Sequence, residues 1–136
     1  MTSPIGVPLA ALPHHDGSPL YVSTQSPELG GEVAVRLRVP RAFGELVRVR
    51  VRSNPDREPS YAEARVVHED AAAVWWQAEF TVENPVHGYR FLLEQPSART
   101  WWVSSKGLSS TEVRDVDDFR LVTHPEPPAW GQSMVM

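Results

Sequence analysis

The 136-residue chain contains no cysteine. That excludes disulfide staples and thiol nucleophiles, and it suits a reducing compartment. Positive charge is not in excess: 17 acidic against 13 basic residues leave a net charge of −4. No global field therefore draws the chain to nucleic acid or to an anionic membrane, and neither is expected as a partner. No uninterrupted apolar run approaches the ~18 residues of a membrane-spanning helix. Met1 to Ala11 lacks a basic leader, and Pro4 and Pro8 interrupt its apolar stretch, so it does not read as a secretory signal. The expected location is cytoplasmic. Helical periodicity is also missing, and 13 prolines are spread along the chain, which argues against a helical fold.

The period that is present is two. In Glu32 to Val39, Val33, Val35, Leu37 and Val39 alternate with Arg36 and Arg38, and Pro40 ends the run. From Val47 to Arg52 valine and arginine alternate strictly, as a sheet with one dry and one wet face requires. Asn54-Pro55-Asp56 supplies turn chemistry. A strand is predicted over Tyr61 to Val67, followed by a His68-Glu69-Asp70 turn. The next, Val74 to Glu83, places Val74, Trp76, Ala78, Phe80 and Val82 inward and Trp75, Gln77, Glu79 and Thr81 outward. Asn84-Pro85 and Gly88 bracket a turn, after which Tyr89, Phe91 and Leu93 form an inner face. Thr100 to Ser104 and Phe119 to Val122 complete the series, and Tyr21 to Thr24 is a first strand. Short strands with turn signals every 8–12 residues or so predict an all-β fold, an immunoglobulin-like antiparallel β-sandwich.

Catalytic chemistry finds no support in these residues. His14, His15 and Asp16 stand together, while His68, His87 and His124 are placed in loops. A zinc site needs three or four ligands at defined spacings, and this pattern matches none. The histidines read as solvated or hydrogen-bonded loop residues, and no metal and no cofactor are expected. No Gly-x-Ser-x-Gly turn presents a nucleophile. Glu79 has no carboxylate partner, whereas glycoside hydrolysis uses a pair about 5–10 Å apart. No hydrolase activity is expected of residues 1–136 alone.

Two features invite binding. Arg48, Arg50 and Arg52, with Arg36 and Arg38 expected on the neighbouring strand, form a basic stripe. With net charge negative, it reads as a solvated face paired with Glu32, Glu63 or Glu79 across strands. Trp75-Trp76 and Trp101-Trp102 are adjacent pairs whose members point to opposite faces. Trp76 belongs with Phe80, and Trp101 with Val103, which leaves Trp75 and Trp102 outward. Cover by loops or by a following domain is the plainer account of both. The sharper one is a sugar platform, since a flat indole suits the apolar face of a glucose ring.

The last dozen residues, Pro125 to Met136, carry three prolines and then an apolar segment, Met134-Val135-Met136. Domains rarely close on a fresh apolar run. The organisation expected is a module over 1–124, and over 125–136 a linker with the first residues of a further, truncated domain.

Taken in order, His15-Asp16-Gly17-Ser18-Pro19-Leu20-Tyr21-Val22, Trp75-Trp76, Tyr89-Arg90-Phe91-Leu92-Leu93, Trp101-Trp102 with Gly107-Leu108, Asp117-Asp118-Phe119-Arg120-Leu121 and Pro128-Ala129-Trp130 resemble a known pattern. The chain resembles the N-terminal β-sandwich of the neopullulanase, cyclomaltodextrinase, maltogenic amylase and α-glucosidase group of glycoside hydrolase family 13, a module similar to carbohydrate-binding module family 34. The resemblance implies a parent α-glycosidase (an O-glycosyl hydrolase) with its carboxylates on a (β/α)₈ barrel that begins after the linker. It implies a non-catalytic module that shapes the active site or mediates dimerisation, with the barrel, a second copy or an α-glucan as partner. In some relatives the module binds starch, and the sugar-contacting aromatics correspond at best to Trp75 and Trp102. The acidic-plus-asparagine cluster of the calcium site in some relatives has no counterpart here. An immunoglobulin-like protein-interaction domain unrelated to sugar is the remaining alternative.

Overall fold

The structure, a computed structural model, describes residues 11–24, 27–53, 59–111 and 113–123. The strands are β1 (Glu32–Pro40), β2 (Arg48–Ser53), β3 (Ser60–Glu63), β4 (Arg65–Glu69), β5 (Ala73–Thr81), β6 (Val86–Glu94), β7 (Thr100–Ser104), β8 (Gly107–Ser109) and β9 (Phe119–Val122). Short 3₁₀ turns lie at Arg41–Phe43 and Asp115–Asp117, and the described residues include no α-helix. All pairings are antiparallel. One sheet has the order β1-β5-β4; the other runs β3-β2-β6-β7-β8, with β9 on the first half of β6. This is the all-β antiparallel sandwich that the two-residue period predicts.

The alternation builds the core directly. Val33, Val35 and Leu37 of β1 face inward opposite Phe80, Ala78 and Trp76 of β5. From the other sheet come Val49 and Val51 of β2, Tyr89, Phe91 and Leu93 of β6, and Trp101 and Val103 of β7, all in one buried cluster. Each such side chain contributes roughly 1.5–3 kcal/mol by leaving water. That outweighs any intrinsic preference of the segments and fixes the register.

Several expectations are corrected. Tyr61 to Val67 is not one strand: the chain breaks at Ala64, with β3 in the larger sheet and β4 in the smaller. Ala64 donates its N–H to Val49 O (2.8 Å), so the crossing point itself is bonded. Tyr21 to Thr24 is not a ladder strand but a single bridge, Val22 to Val35. Gly88 lies inside β6 rather than in a turn; a Cβ there would meet Asp118 Oδ2 at 3.3 Å, so the glycine admits a close loop. A further hairpin strand, β8, follows β7 through a turn that puts Gly107 at φ +99°. The Asn54-Pro55-Asp56 turn, His124 and the whole of Pro125–Met136 lie outside the described residues.

The arginine stripe is also divided. Arg36 and Arg38 stand on β1 and Arg48, Arg50 and Arg52 on β2, and these strands belong to different sheets. The two sets therefore occupy opposite outer faces of the sandwich. Arg48 binds Glu63 on β3 at 2.6 Å, and Arg65 holds Glu79 at 2.7 and 3.0 Å, so two of the three carboxylates named for pairing are used, Glu79 by an arginine outside the stripe.

Candidate functional site

Trp75 lies on the outer face of the small sheet, opposite Arg38 in register and beside His68 of β4. It is half-buried, because the segment before β1 folds back over the sheet edge and stacks Tyr21 on the indole at 5.4 Å and 25°. The remaining indole surface looks into an open groove of about 440 Å³ lined by Leu20, Arg36, Val67, His68, Asp70 and Trp75. Leu20 and Val67 are exposed apolar side chains. Val67 is the extra residue of a β-bulge in β4, and the bulge sets it beside His68 on the groove wall. Next to the groove runs a polar ladder: Arg36 donates to Gln77 (2.8 Å), Gln77 to Glu79 (2.6 Å), and Arg65 to Glu79. An aromatic floor, apolar flanks and a rim of donors and acceptors is the composition of a surface that takes a ring with hydroxyls around its edge.

Trp102 stands on the opposite face of the sandwich, on β7 between Leu92 of β6 and Ser109 of β8. Its ring carries the guanidinium of Arg90 at 4.9 Å. Arg90 alternates outward on β6, yet it is 1% exposed. The loop through Asp115–Asp117 folds over it, so that Nη1 donates to Asp118 Oδ1 (2.7 Å) and Asp115 Oδ1 (3.1 Å). Burial pushes the Asp118 carboxyl up, against the pull of Arg90. Trp102 is thus covered in part by a loop-capped ion pair, and it shares no surface with Trp75. Sequence reasoning placed both indoles outward but missed Arg90 and Asp118. The available signal was one arginine in an otherwise apolar strand, Tyr89-Arg90-Phe91-Leu92-Leu93.

Two of the histidines expected in loops, His68 and His87, are strand residues. His68 is in β4, and His87 is a buried residue of β6 stacked on Phe80 at 4.9 Å. Burial lowers the pKa of His87. His15 is 5% exposed and reaches both sheets, with Nδ1 2.6 Å from Arg36 O and Nε2 2.7 Å from the Tyr89 hydroxyl. A carbonyl oxygen only accepts, so Nδ1 carries the proton and Nε2 takes the hydroxyl hydrogen. Loss of solvation lowers its pKa to about 4. Among the described residues no three His, Asp or Glu side chains converge as a metal site. No described helix is long and apolar enough to cross a membrane.

A second depression, of about 480 Å³, opens over the half-buried Trp76 of the small sheet, with Val39, Val66 and Val74 and the connection through Leu46 as walls. Trp76 is expected in the core; it packs against the buried cluster but is only half-buried and lines this cleft.

No protein family matches the chain, and no curated protein is similar to it in sequence. Among solved structures, it is similar to a cyclomaltodextrinase, with a TM-score of 0.69 and 18% identity over 88% of this chain. The match occupies 21% of that enzyme's chain, so the present chain spans about a fifth of the protein it resembles. At that identity the likeness establishes the fold, a β-sandwich found as one part of a larger enzyme.

Proposed function

We propose that this chain is a non-catalytic domain of an α-glucan-active glycoside hydrolase, shaping the active site of a catalytic barrel or joining two copies of the enzyme. The observation that carries this is the superposition of 88% of the chain on one fifth of a cyclomaltodextrinase, an enzyme that by its name acts on cyclic maltodextrins. The order of motifs from His15 to Trp130 supports the same assignment. The test is to express the complete reading frame and measure release of reducing sugar from β-cyclodextrin, pullulan and maltoheptaose. Activity in the whole product, and none in residues 1–136, is the expected result. A frame that holds no catalytic barrel, or a product inert toward all three, overturns it.

The groove at Trp75 favours a second role within that assignment, contact with an α-glucan chain. One indole face is already occupied by Tyr21, and the exposed remainder is flanked by Leu20 and Val67 with Arg36, His68 and Asp70 at the rim. Trp102 is the weaker of the two platforms, because Arg90 lies on its ring. Titration with maltoheptaose, read at the indole N–H signals, is expected to shift Trp75 saturably and Trp102 little. Trp75→Ala abolishes the binding and Trp102→Ala leaves it intact, since the two residues lie on opposite faces. Silence at Trp75 up to millimolar sugar removes the glucan role and leaves the structural one.

A further inference from the structure

We propose that the segment Ala11–Ser23 is an acid-released strap over the Trp75 groove, latched by the side chain of His15. The inference concerns regulation of that groove and rests on its reading as a binding face. The strap is held along the free edge of β1 by four backbone hydrogen bonds: His14 N to Arg38 O (2.8 Å), Arg38 N to His14 O (3.0 Å), Arg36 N to Tyr21 O (2.8 Å) and Ser23 N to Ala34 O (2.9 Å). These bonds surround one side chain that crosses the sandwich. His15 joins Arg36 O of one sheet to the Tyr89 hydroxyl of the other and sits among the rings of Tyr21, Tyr89, Phe91 and Phe119, at 5.9, 5.5, 4.9 and 4.6 Å. Six residues on, the same strap lays Tyr21 on Trp75. Latch and cover are therefore parts of one short segment.

The latch works only while the imidazole is neutral. A second ring proton, on Nε2, would face a hydroxyl that already donates there, so the Tyr89 hydrogen must turn away into apolar surroundings. The neighbours offer little to hold an imidazolium. On its own segment stand His14, Asp16 and the phenol of Tyr21; Asp16 already accepts from His14 (2.8 Å) and from Ser18 N (2.8 Å). Strand β1 brings Arg36 and Arg38, both cations. Strand β6 brings the Tyr89 phenol and the uncharged Phe91, and β9 brings only Phe119. In the closed strap, loss of solvation holds the His15 pKa at about 4, against 6.5 for a solvated imidazole. A released strap binds the proton first as pH falls through 6.5, and the difference saturates near pH 4. Linkage over that window raises the open fraction roughly a hundredfold between pH 7 and pH 4. Opening lifts Tyr21 from Trp75 and bares the second face of the indole.

The experiment is native-state amide exchange on residues 1–136, compared at pH 7, 6, 5 and 4.5 as protection factors. Arg36 and Arg38, whose N–H groups are bonded to the strap, are expected to lose protection by tens of fold over this range. Val51 and Phe91, in the ladder of the other sheet, open only with global unfolding and are expected to keep protection factors well above those of Arg36 and Arg38 at every pH. His15→Gln retains a donor for Arg36 O and an acceptor for Tyr89 but cannot be protonated, and it is expected to abolish the pH dependence. Should that variant fail to fold, the wild-type His15 ring signal gives a second readout, and it is expected to titrate in step with the protection of Arg36 and Arg38. Equal protection factors at all four amides at every pH, persistence of the transition in His15→Gln, or His15 titration uncoupled from the two strap amides overturns the proposal. None of these readouts contains sugar. Absence of glucan binding at pH 7 would thus remove the ligand from the groove and leave the strap standing.

Discussion

The guanidinium of Arg90 donates to Asp118 across 2.7 Å on a sheet face where simple alternation predicts solvent. With Arg90 1% and Asp118 5% exposed, each charge is compensated chiefly by the other and by Asp115. Removing one partner strands the second. Arg90→Ala or Asp118→Ala is expected to cost about 3–5 kcal/mol in urea unfolding. Replacing both, as Arg90→Met with Asp118→Leu, is expected to cost less than the sum of the two single losses. Strict additivity would mean that the pair is not coupled.

The burial of His15, with Tyr89 as its hydroxyl partner, gives the molecule an acid-sensitive stability. Because the folded pKa of about 4 lies below the 6.5 of the unfolded chain, the stabilisation is fully present above pH 6.5 and is lost as pH falls toward 4. It amounts to roughly 3 kcal/mol over that interval. Tyr89→Phe removes the hydroxyl donor and leaves Nε2 buried without its partner, at a cost of about 1–3 kcal/mol at pH 7. Unfolding midpoints measured at pH 7, 6, 5 and 4 in the wild type and in a His15→Gln variant check both statements. A slope of stability against pH that is unchanged in the variant would assign it elsewhere.

Adjacent tryptophans on β7 are predicted to differ sharply. Trp101 is buried, donates its indole N–H to Gln95 Oε1 (3.1 Å) and meets Phe43 at 5.8 Å, so Trp101→Ala opens a core cavity. The expected loss is about 3–5 kcal/mol. Trp102→Ala removes a half-buried ring and its contact with Arg90, and the expected loss is less than half of that. Comparable losses would contradict the alternation of β7.

Surface ion pairs on the small sheet are predicted to matter little. Arg65 and Glu79 make a two-toothed contact, and hydrogen bonds hold the Glu79 carboxyl below its usual range. Arg65 is exposed, however, and solvent screens the pair. Arg65→Ala is expected to leave the unfolding midpoint nearly unchanged, and 1 M salt to erase what difference remains.

Strand positions were legible because the side-chain period of a strand is fixed by covalent geometry: Val33, Val35, Leu37, Val49, Val51, Phe91 and Val103 follow parity into the core without exception. The same rule sent Trp75 and Trp102 outward, where the structure has them. Parity says nothing about what lies above an outer face. It could not foresee Tyr21 on Trp75, the loop over Arg90, or His15 in the interior, because these depend on segments distant in sequence that no period connects. Nor could it divide Tyr61–Val67 at Ala64, since both halves alternate alike while belonging to different sheets.

The sequence by itself determined an antiparallel all-β sandwich and the inward and outward sets of its strands, because burial of alternate apolar side chains dominates the folding free energy and is written locally. Only the tertiary structure decided which strands share a sheet, which outward aromatics are covered, and which charges are buried as pairs. Those outcomes depend on loop paths and long-range contacts. Their energies arise between residues 21 and 75, 90 and 118, or 15 and 89, and exist only once the two sheets have met.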